Sequence, residues 1–423
     1  MLLLVPAGAR IKKFFARFGP GLITGAADDD PSGIATYSQA GAQFGLNMMW
    51  TVVLTFPLMA AIQEVSARIG RVTGKGLAAN LAAILPRPVM LGLVALLAIA
   101  NIVNIGADLA AMGAAAQLVI GGPALAYTLG FAALSSALVI AVPYHRYVHV
   151  LKWLTMSLLA YVGVVFSVHI DWTAVAWATI RPHFTPDRDA LTVIVGVFGT
   201  TISPYLFFWQ ASEEVEEEEI APDEGPLLTN PTHAPAQLAR IDFDTWTGMA
   251  YSNTIAFFII LTTAVTLHTS GVTDIQTSAQ AAQALRPVAG EFAFALFSLG
   301  IIGTGLLALP VLAGSAAYGI GEAMGWRIGL EHDVREAPGF YAIIAATIAF
   351  GLIVSVAPID PIVALFWSAV LNGVIAVPIM AAMMLVVASH RLLGPFVLPP
   401  VLKALGWIGT AVMAAAAIGM FLL

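Results

Sequence analysis

Eleven stretches of this chain are too long and too apolar to be folded away in water: roughly 20–42, 47–67, 88–118, 123–143, 147–169, 190–212, 246–268, 291–317, 340–358, 362–388 and 404–423. A helix rises about 1.5 Å per residue, so about 20 apolar residues cross a hydrocarbon layer about 30 Å thick. The stretches are rich in Ala, Gly, Leu and Val and lack the two-residue alternation of a membrane-spanning strand. The expected fold class is therefore all-α, a polytopic membrane bundle and not a barrel. At 59% hydrophobic and 10% charged, 423 residues exceed what one water-soluble core can bury, so the lipid bilayer is the first partner implied. A net charge of −7 gives no footprint for nucleic acid, and the absence of Cys excludes disulfides and thiolate metal sites. Met1 to Ala7 are apolar, but Arg10, Lys12, Lys13 and Arg17 follow them, an order unlike that of a cleaved signal peptide.

Basic residues fix the expected orientation. With the N-terminus inside, Arg10, Lys12, Lys13, Arg17, Arg68, Arg71, Lys75, Arg87, Arg146, Lys152, Arg240, Arg327, Arg335, Arg391 and Lys403 fall on the inner side. Only Arg181, Arg188 and Arg286 fall on the outer side, which accounts for all 18 Lys and Arg. The C-terminus then lies outside a cell membrane. The chain reads as one transmembrane domain, 1–423, with approximate halves 18–170 and 190–390. An inner loop is expected over 213–245, where the glutamate run from Glu213 to Glu219 reads as a solvated helix end before a Pro-rich stretch. The outer segment from Asp171 to Asp189, with Pro182 and Pro186, reads as an ordinary loop.

Polar residues enter the apolar spans at two places. The first span runs Gly19-Pro20-Gly21 and then Asp28-Asp29-Asp30-Pro31-Ser32-Gly33, which puts three carboxylates and a proline near mid-membrane depth. Each central Asp costs about 2.5–3.5 kcal/mol in a lipid-facing helix, and Pro31 removes a backbone donor. A helix broken around Asp28 to Gly33, lining a protein-enclosed cavity, is expected. Five spans later Thr200-Thr201-Ile202-Ser203-Pro204-Tyr205 repeats the device, although a Pro-kinked packing helix whose hydroxyls bond back to the preceding turn is the plain alternative. Breaks at corresponding places in two halves point to an inverted repeat with a site where they meet.

No Lys or Arg lies near either break, so an anionic ligand is disfavoured. Carboxylate, carbonyl and hydroxyl oxygens suit Mg²⁺, Mn²⁺ or Ca²⁺, and neither break holds Met, His or Cys. Asp30 is the first candidate metal ligand, with Asp28 and Asp29 beside it or on the approach. Asn101, Asn104 and Asp108 share one face of the third span, either as a polar wall beside a path or as a hydrogen-bonded cluster. Asn372 is a further candidate, against ordinary interhelical bonding. Gln63 and Glu64 read as interfacial. No resident cofactor is implied, the cation being cargo.

At these residues the chain resembles the NRAMP family of divalent metal transporters. Gly19-Pro20-Gly21, Asp30-Pro31-Ser32-Gly33 and Gln39-Ala40-Gly41-Ala42-Gln43-Phe44-Gly45 are similar to the family's first span. Ser66 to Lys75 and Ala107-Asp108-Leu109-Ala110 are similar to its second and third. The resemblance implies a LeuT-type repeat of five plus five helices with an eleventh, no enzyme activity, and a metal site of Asp30 with the Ala27 carbonyl. It also marks departures. The family's Asn is Gly33; its Ala-x-x-Met-Pro-His is Thr200, Ser203, Pro204 and Tyr205; its acidic residue one turn after Asp108 is Ala111; and Phe340 to Pro358 lacks its Arg. A hydroxyl replaces the thioether that selects soft metals, and the proton-handling groups are depleted, as in the NRAMP-related magnesium transporters. Mg²⁺ uptake, with Mn²⁺ as a further substrate and no proton coupling, is the expectation. A proton-coupled transition-metal carrier and a polytopic membrane metalloenzyme built on Asp28 to Asp30 are the alternatives.

Overall fold

The computed structural model describes residues 19–142, 156–183, 187–220 and 225–423. Met1 to Ala7, Arg10, Lys12, Lys13, Arg17, Arg146, Lys152, Pro186 and the start of the fifth span lie outside them. All regular structure in the described residues is helical. The principal helices are α1 (Pro20–Asp28), α2 (Pro31–Phe44), α3 (Met49–Thr73), α4 (Leu77–Ala82), α5 (Arg87–Ile120), α6 (Ala124–Ala141), α7 (Leu159–Ser167) and α8 (Trp172–Ile180). They continue as α9 (Arg188–Thr201), α10 (Pro204–Ile220), α11 (Ala234–Thr266), α12 (Ala293–Met324), α13 (Pro338–Ser355), α14 (Pro361–Ala388) and α15 (Pro400–Leu422). Each of the eleven expected spans is helical in its described part, and α8 adds a short helix inside the segment read as a loop.

Proline sets many of the starts. α1, α2, α10, α13, α14 and α15 each begin on one, at the position where a missing N–H costs nothing and the fixed φ suits a helix. Both expected breaks follow from this rule. The first span stops at Asp28 and restarts at Pro31, and the sixth stops at Thr201 and restarts at Pro204.

The broken helices sit at the centre of the bundle. α1 and α2 lie along α11, α9 along α14 and α15, α10 along α3, and α5 along α12, α13 and α14. Glycines allow the closest of these approaches. A Cβ at Gly25 would strike the Gly248 backbone of α11, and one at Gly199 would strike the α14 backbone at Ala369 and Gly373.

The loop expected over 213–245 is largely helical: α10 continues to Ile220 and α11 starts at Ala234. The glutamate run is not a solvated face either, since Glu214 and Glu218 are buried. Cationic and hydroxyl partners explain this. Arg240 Nη2 reaches Glu214 at 2.5 Å and Glu217 at 2.9 Å, and Arg71 pairs with Glu218 at 3.5 Å. Glu216 accepts from the Tyr318 hydroxyl and from Leu330 N–H at 2.8 Å. Carboxylates that meet donors on α3, α11 and α12 can leave water, and the helix extends as far as those donors do.

Candidate functional site

Asp30 is the hinge of the first break. It is the N-cap of α2, in extended conformation, and its Oδ1 accepts from Gly33 N–H at 2.8 Å and Ser32 Oγ at 2.6 Å. Its Oδ2 accepts from Asn104 Nδ2 of α5 at 2.9 Å. One carboxylate therefore closes the start of α2 and ties it to a third helix.

Asp28 and Asp29 turn toward α11. The Ser252 hydroxyl lies 2.6 Å from Asp28 Oδ2 and 3.0 Å from Asp29 Oδ1, yet it has one proton to give. The outer oxygens, Asp28 Oδ1 and Asp29 Oδ2, are buried with no partner in the protein. All three aspartates are 2% exposed or less. Three buried carboxylates so close, without a basic residue among their hydrogen-bond partners, suit a cation and not an anion.

The second break supplies the facing wall. Thr200 Oγ1 is buried beside the Tyr37 hydroxyl and stands 3.0 Å from where a Cβ would sit on Gly33, so the two breaks touch there. The Tyr37 ring and the Asp28 carbonyl oxygen border the same point, at 3.3 and 3.6 Å. Tyr205 OH donates to the Ala27 carbonyl at 3.5 Å, bringing that expected backbone ligand to the seam. Ser203 behaves otherwise: its hydroxyl turns back to its own helix, 2.9 Å from Gly199 O and 3.0 Å from Thr200 O. The plain alternative thus holds for Ser203, and for Thr201, whose hydroxyl bonds Val197 O at 2.8 Å.

The polar face of α5 divides its labour. Asn104 binds Asp30, whereas Asn101 donates to Leu312 O and Ser315 Oγ of α12, both at 2.8 Å. Asp108 is fully buried and neither of its oxygens has a partner. Asn372 is buried, with both amide atoms unpaired. Among the described residues no three His, Asp or Glu side chains converge as a metal cluster, so a cation here would rest on one carboxylate with carbonyl, hydroxyl and water oxygens.

The site is closed to solvent, with Asp28, Asp29, Asp30, Tyr37 and Thr200 all buried. A cavity of about 440 Å³, bordered by Gln39, Gln43, Asp189 and Asp274, opens near the start of α9. Phe366 lines it and packs with Thr36 and Val370 around Gly196. Toward the other face, Gln63 donates to Leu206 O at 2.8 Å and Gln210 Oε1 at 2.6 Å, and Gln210 donates to Thr245 at 2.9 Å. Glu64, buried, accepts from Arg68 and Trp246, both at 2.7 Å. Asp244 accepts from Gly21 N–H at 2.7 Å and Leu22 N–H at 3.0 Å, clasping the first turn of α1.

Sequence reasoning missed Ser252, Tyr37 and Asp244. Ser252 had a signal, since Ser252-Asn253-Thr254 is a polar entry into an apolar span; Tyr37 lies one helical turn beyond Gly33.

Over residues 21–423 the sequence matches the family described as Natural resistance-associated macrophage protein-like, Nramp. The chain belongs to the Nramp family. Among its relatives, the divalent metal cation transporter MntH of Granulibacter bethesdensis is 27% identical over 367 residues, covering 82% of this chain and 79% of the relative. MntH of Klebsiella pneumoniae is 26% identical over 413 residues, covering 94% and 92%. In fold, this Nramp chain is similar to the manganese transporter of Eremococcus coleocola, with a TM-score of 0.75 at 15% identity over 98% of this chain and 88% of that one. Mhp1, a nucleobase-cation-symport-1 family transporter, gives a TM-score of 0.54 at 13% identity, covering 95% and 92%. The expected five-plus-five bundle with an added helix is the fold observed.

Proposed function

We propose that this Nramp chain carries a divalent cation across a cell membrane by alternating access, with Mg²⁺ the principal ion and Mn²⁺ a further substrate. The observation that carries the reading is the set of buried carboxylate oxygens left without a protein partner around the first break, Asp28 Oδ1, Asp29 Oδ2 and both oxygens of Asp108, with the Tyr37 and Thr200 hydroxyls beside each other at Gly33. A buried polar atom without a partner costs about 1–3 kcal/mol, more if charged, so such a set makes sense as the lining of a place that receives a hydrated cation. Mg²⁺ keeps several waters and asks for only one or two carboxylates, which Asp30 and its neighbours supply. The relatives named MntH are divalent metal cation transporters by name.

Asp30, the Ala27 carbonyl and Thr200 are assigned to the ion or its waters, Asp28 and Asp29 to its approach, and Gly33 to the space beside Thr200. Ser203, its hydroxyl bonded to its own helix, stands where the resemblance implies a thioether, so no soft ligand is offered there, which favours Mg²⁺ over softer ions. The N-terminus is placed inside and the C-terminus outside. A proton-coupled carrier is the second reading, favoured by one feature: Asp108, with no partner of its own, shares its face of α5 with Asn104, which binds Asp30.

The test is uptake by the purified protein in liposomes under an inside-negative potential, with Mg²⁺, Mn²⁺ and Cd²⁺ offered singly and in competition. Mg²⁺ entry resistant to Cd²⁺ is the expected result. Entry of Mn²⁺ and Cd²⁺ with Mg²⁺ refused would overturn the assignment of the ion.

A further inference from the structure

A second cavity, of about 430 Å³, lies behind the ion site and has no part in it. Its walls come from four helices, through Val103 and Ala110 of α5, Val354 of α13, Leu371 and Val374 of α14 and Phe421 of α15. Two hydroxyls line it, and both are closed onto their own helices: Ser355 Oγ donates to Leu352 O and Ser368 Oγ to Leu365 O, each at 2.7 Å. The rim is apolar and faces outward, with Ile359 56%, Trp367 54% and Phe421 70% exposed. In a membrane protein such a rim faces lipid, and a wall of this kind offers water little to bind.

The cavity's length points to its occupant. Along α14 the lining runs from Ala364 to Val374, eleven residues and so about 15 Å of helix from first to last. That is half of a hydrocarbon layer about 30 Å thick, the depth of one leaflet. One end lies at the turn between α13 and α14, a membrane edge, and the other lies against the middle of α5. The inner wall includes Ala107, next to Asp108, and Val370, which packs at Gly196 of α9.

We propose that this groove binds one acyl chain of a membrane phospholipid, inserted from the leaflet edge at the α13–α14 turn, and that the chain braces α5 and α14 behind the ion site. The occupant fills a slot that would otherwise have to collapse or open as the two helices shift. A side chain of a second copy is the competing occupant, and the test separates the two.

Because the chain has no cysteine, single-cysteine reporters can be placed freely. The full-length protein is reconstituted in phosphatidylcholine vesicles doped with a phosphatidylcholine bearing a diazirine at the acyl terminus, and labelled peptides are mapped after photolysis. Labelling at Val103, Leu371 and Val374 is expected to exceed by at least several-fold that at Leu125, Leu129 and Leu134 of α6, which are exposed apolar positions outside the groove. Ala110→Phe and Ala364→Trp, which fill the slot from opposite ends, are each expected to bring the groove down to the α6 level with α6 labelling unchanged; a variant that does not melt cooperatively is replaced by the other. Groove labelling no higher than on α6, or undiminished in a folded filling variant, would overturn the proposal. So would efficient disulfide cross-linking between copies through Phe421→Cys, which would make the occupant protein.

Discussion

Asp30 carries two tasks that substitution can separate, capping α2 and presenting charge at the break. Asn caps a helix about as well as Asp, so Asp30→Asn is expected to cost under about 1 kcal/mol of stability while cutting uptake by at least about tenfold, because a divalent ion loses its charged ligand. Asp30→Ala adds the lost cap, about 1 kcal/mol, and is expected to abolish uptake in a protein that still folds. Thermal unfolding beside liposome uptake checks both, and wild-type uptake by either variant would remove Asp30 from the site. Gly33 and Thr200 form a second pair, since any Cβ at 33 meets the Thr200 hydroxyl at 3.0 Å. The two departures from the family pattern, Gly for Asn and Thr for Ala, are thus one matched exchange of volume. Gly33→Asn alone is expected to lose uptake, and Gly33→Asn with Thr200→Ala to regain part of it, with a coupling of about 1 kcal/mol or more. Strict additivity in the same assay would show that the residues share no space.

At the scale of elements, α1 is the half-helix most dependent on contacts outside itself. It is nine residues long, and its first turn rests on the Asp244 carboxylate. Hydrogen bonds to a charged group contribute about 1.5–3 kcal/mol each, so Asp244→Ala is expected to loosen α1. The measurement is maleimide labelling of Ala26→Cys, which should quicken several-fold in the Asp244→Ala background; an unchanged rate would show that the clasp does not hold the helix. This element shows how far the sequence could be read. Both breaks were legible because Pro31 and Pro204 mark restarts that local sterics dictate, and the Asp30 cap follows from the same few residues. The tie between Asp28, Asp29 and Ser252 was not, since 223 residues separate Asp29 from Ser252 and nothing local selects that partner. The glutamate run was misread for a related reason: a charged stretch looks solvated until Arg71, Arg240 and Tyr318 arrive from three other helices. Asn101 and Asn104 were indistinguishable by spacing, and only packing sends one to α12 and the other to Asp30.

For the whole molecule, the proposed uptake has an electrical cost and an electrical drive. One charge moving through 100 mV gains about 2.3 kcal/mol, so a divalent ion gains about 4.6 kcal/mol, roughly a thousandfold accumulation. That suffices for an abundant ion without a proton, in keeping with Tyr205 and Ala111 standing where the resemblance implies proton-handling groups. Liposomes loaded with a pH indicator are expected to take up Mg²⁺ at constant internal pH under an inside-negative potential. Stoichiometric acidification of the lumen would sink the uncoupled mechanism and raise Asp108 as the acceptor. The glycine contacts bear on how such a cycle could run. Where Gly25 faces Gly248 and Gly199 faces Gly373, main chain lies on main chain, with no knobs to lift out of holes. At those two points a shift of α1 on α11, or of α9 on α14, has no side chain to clear. In the proposed cycle, what resists such a shift is polar and buried: the Asp244 clasp on α1 and the Gln63 bonds to α10 must be released before the half-helices move.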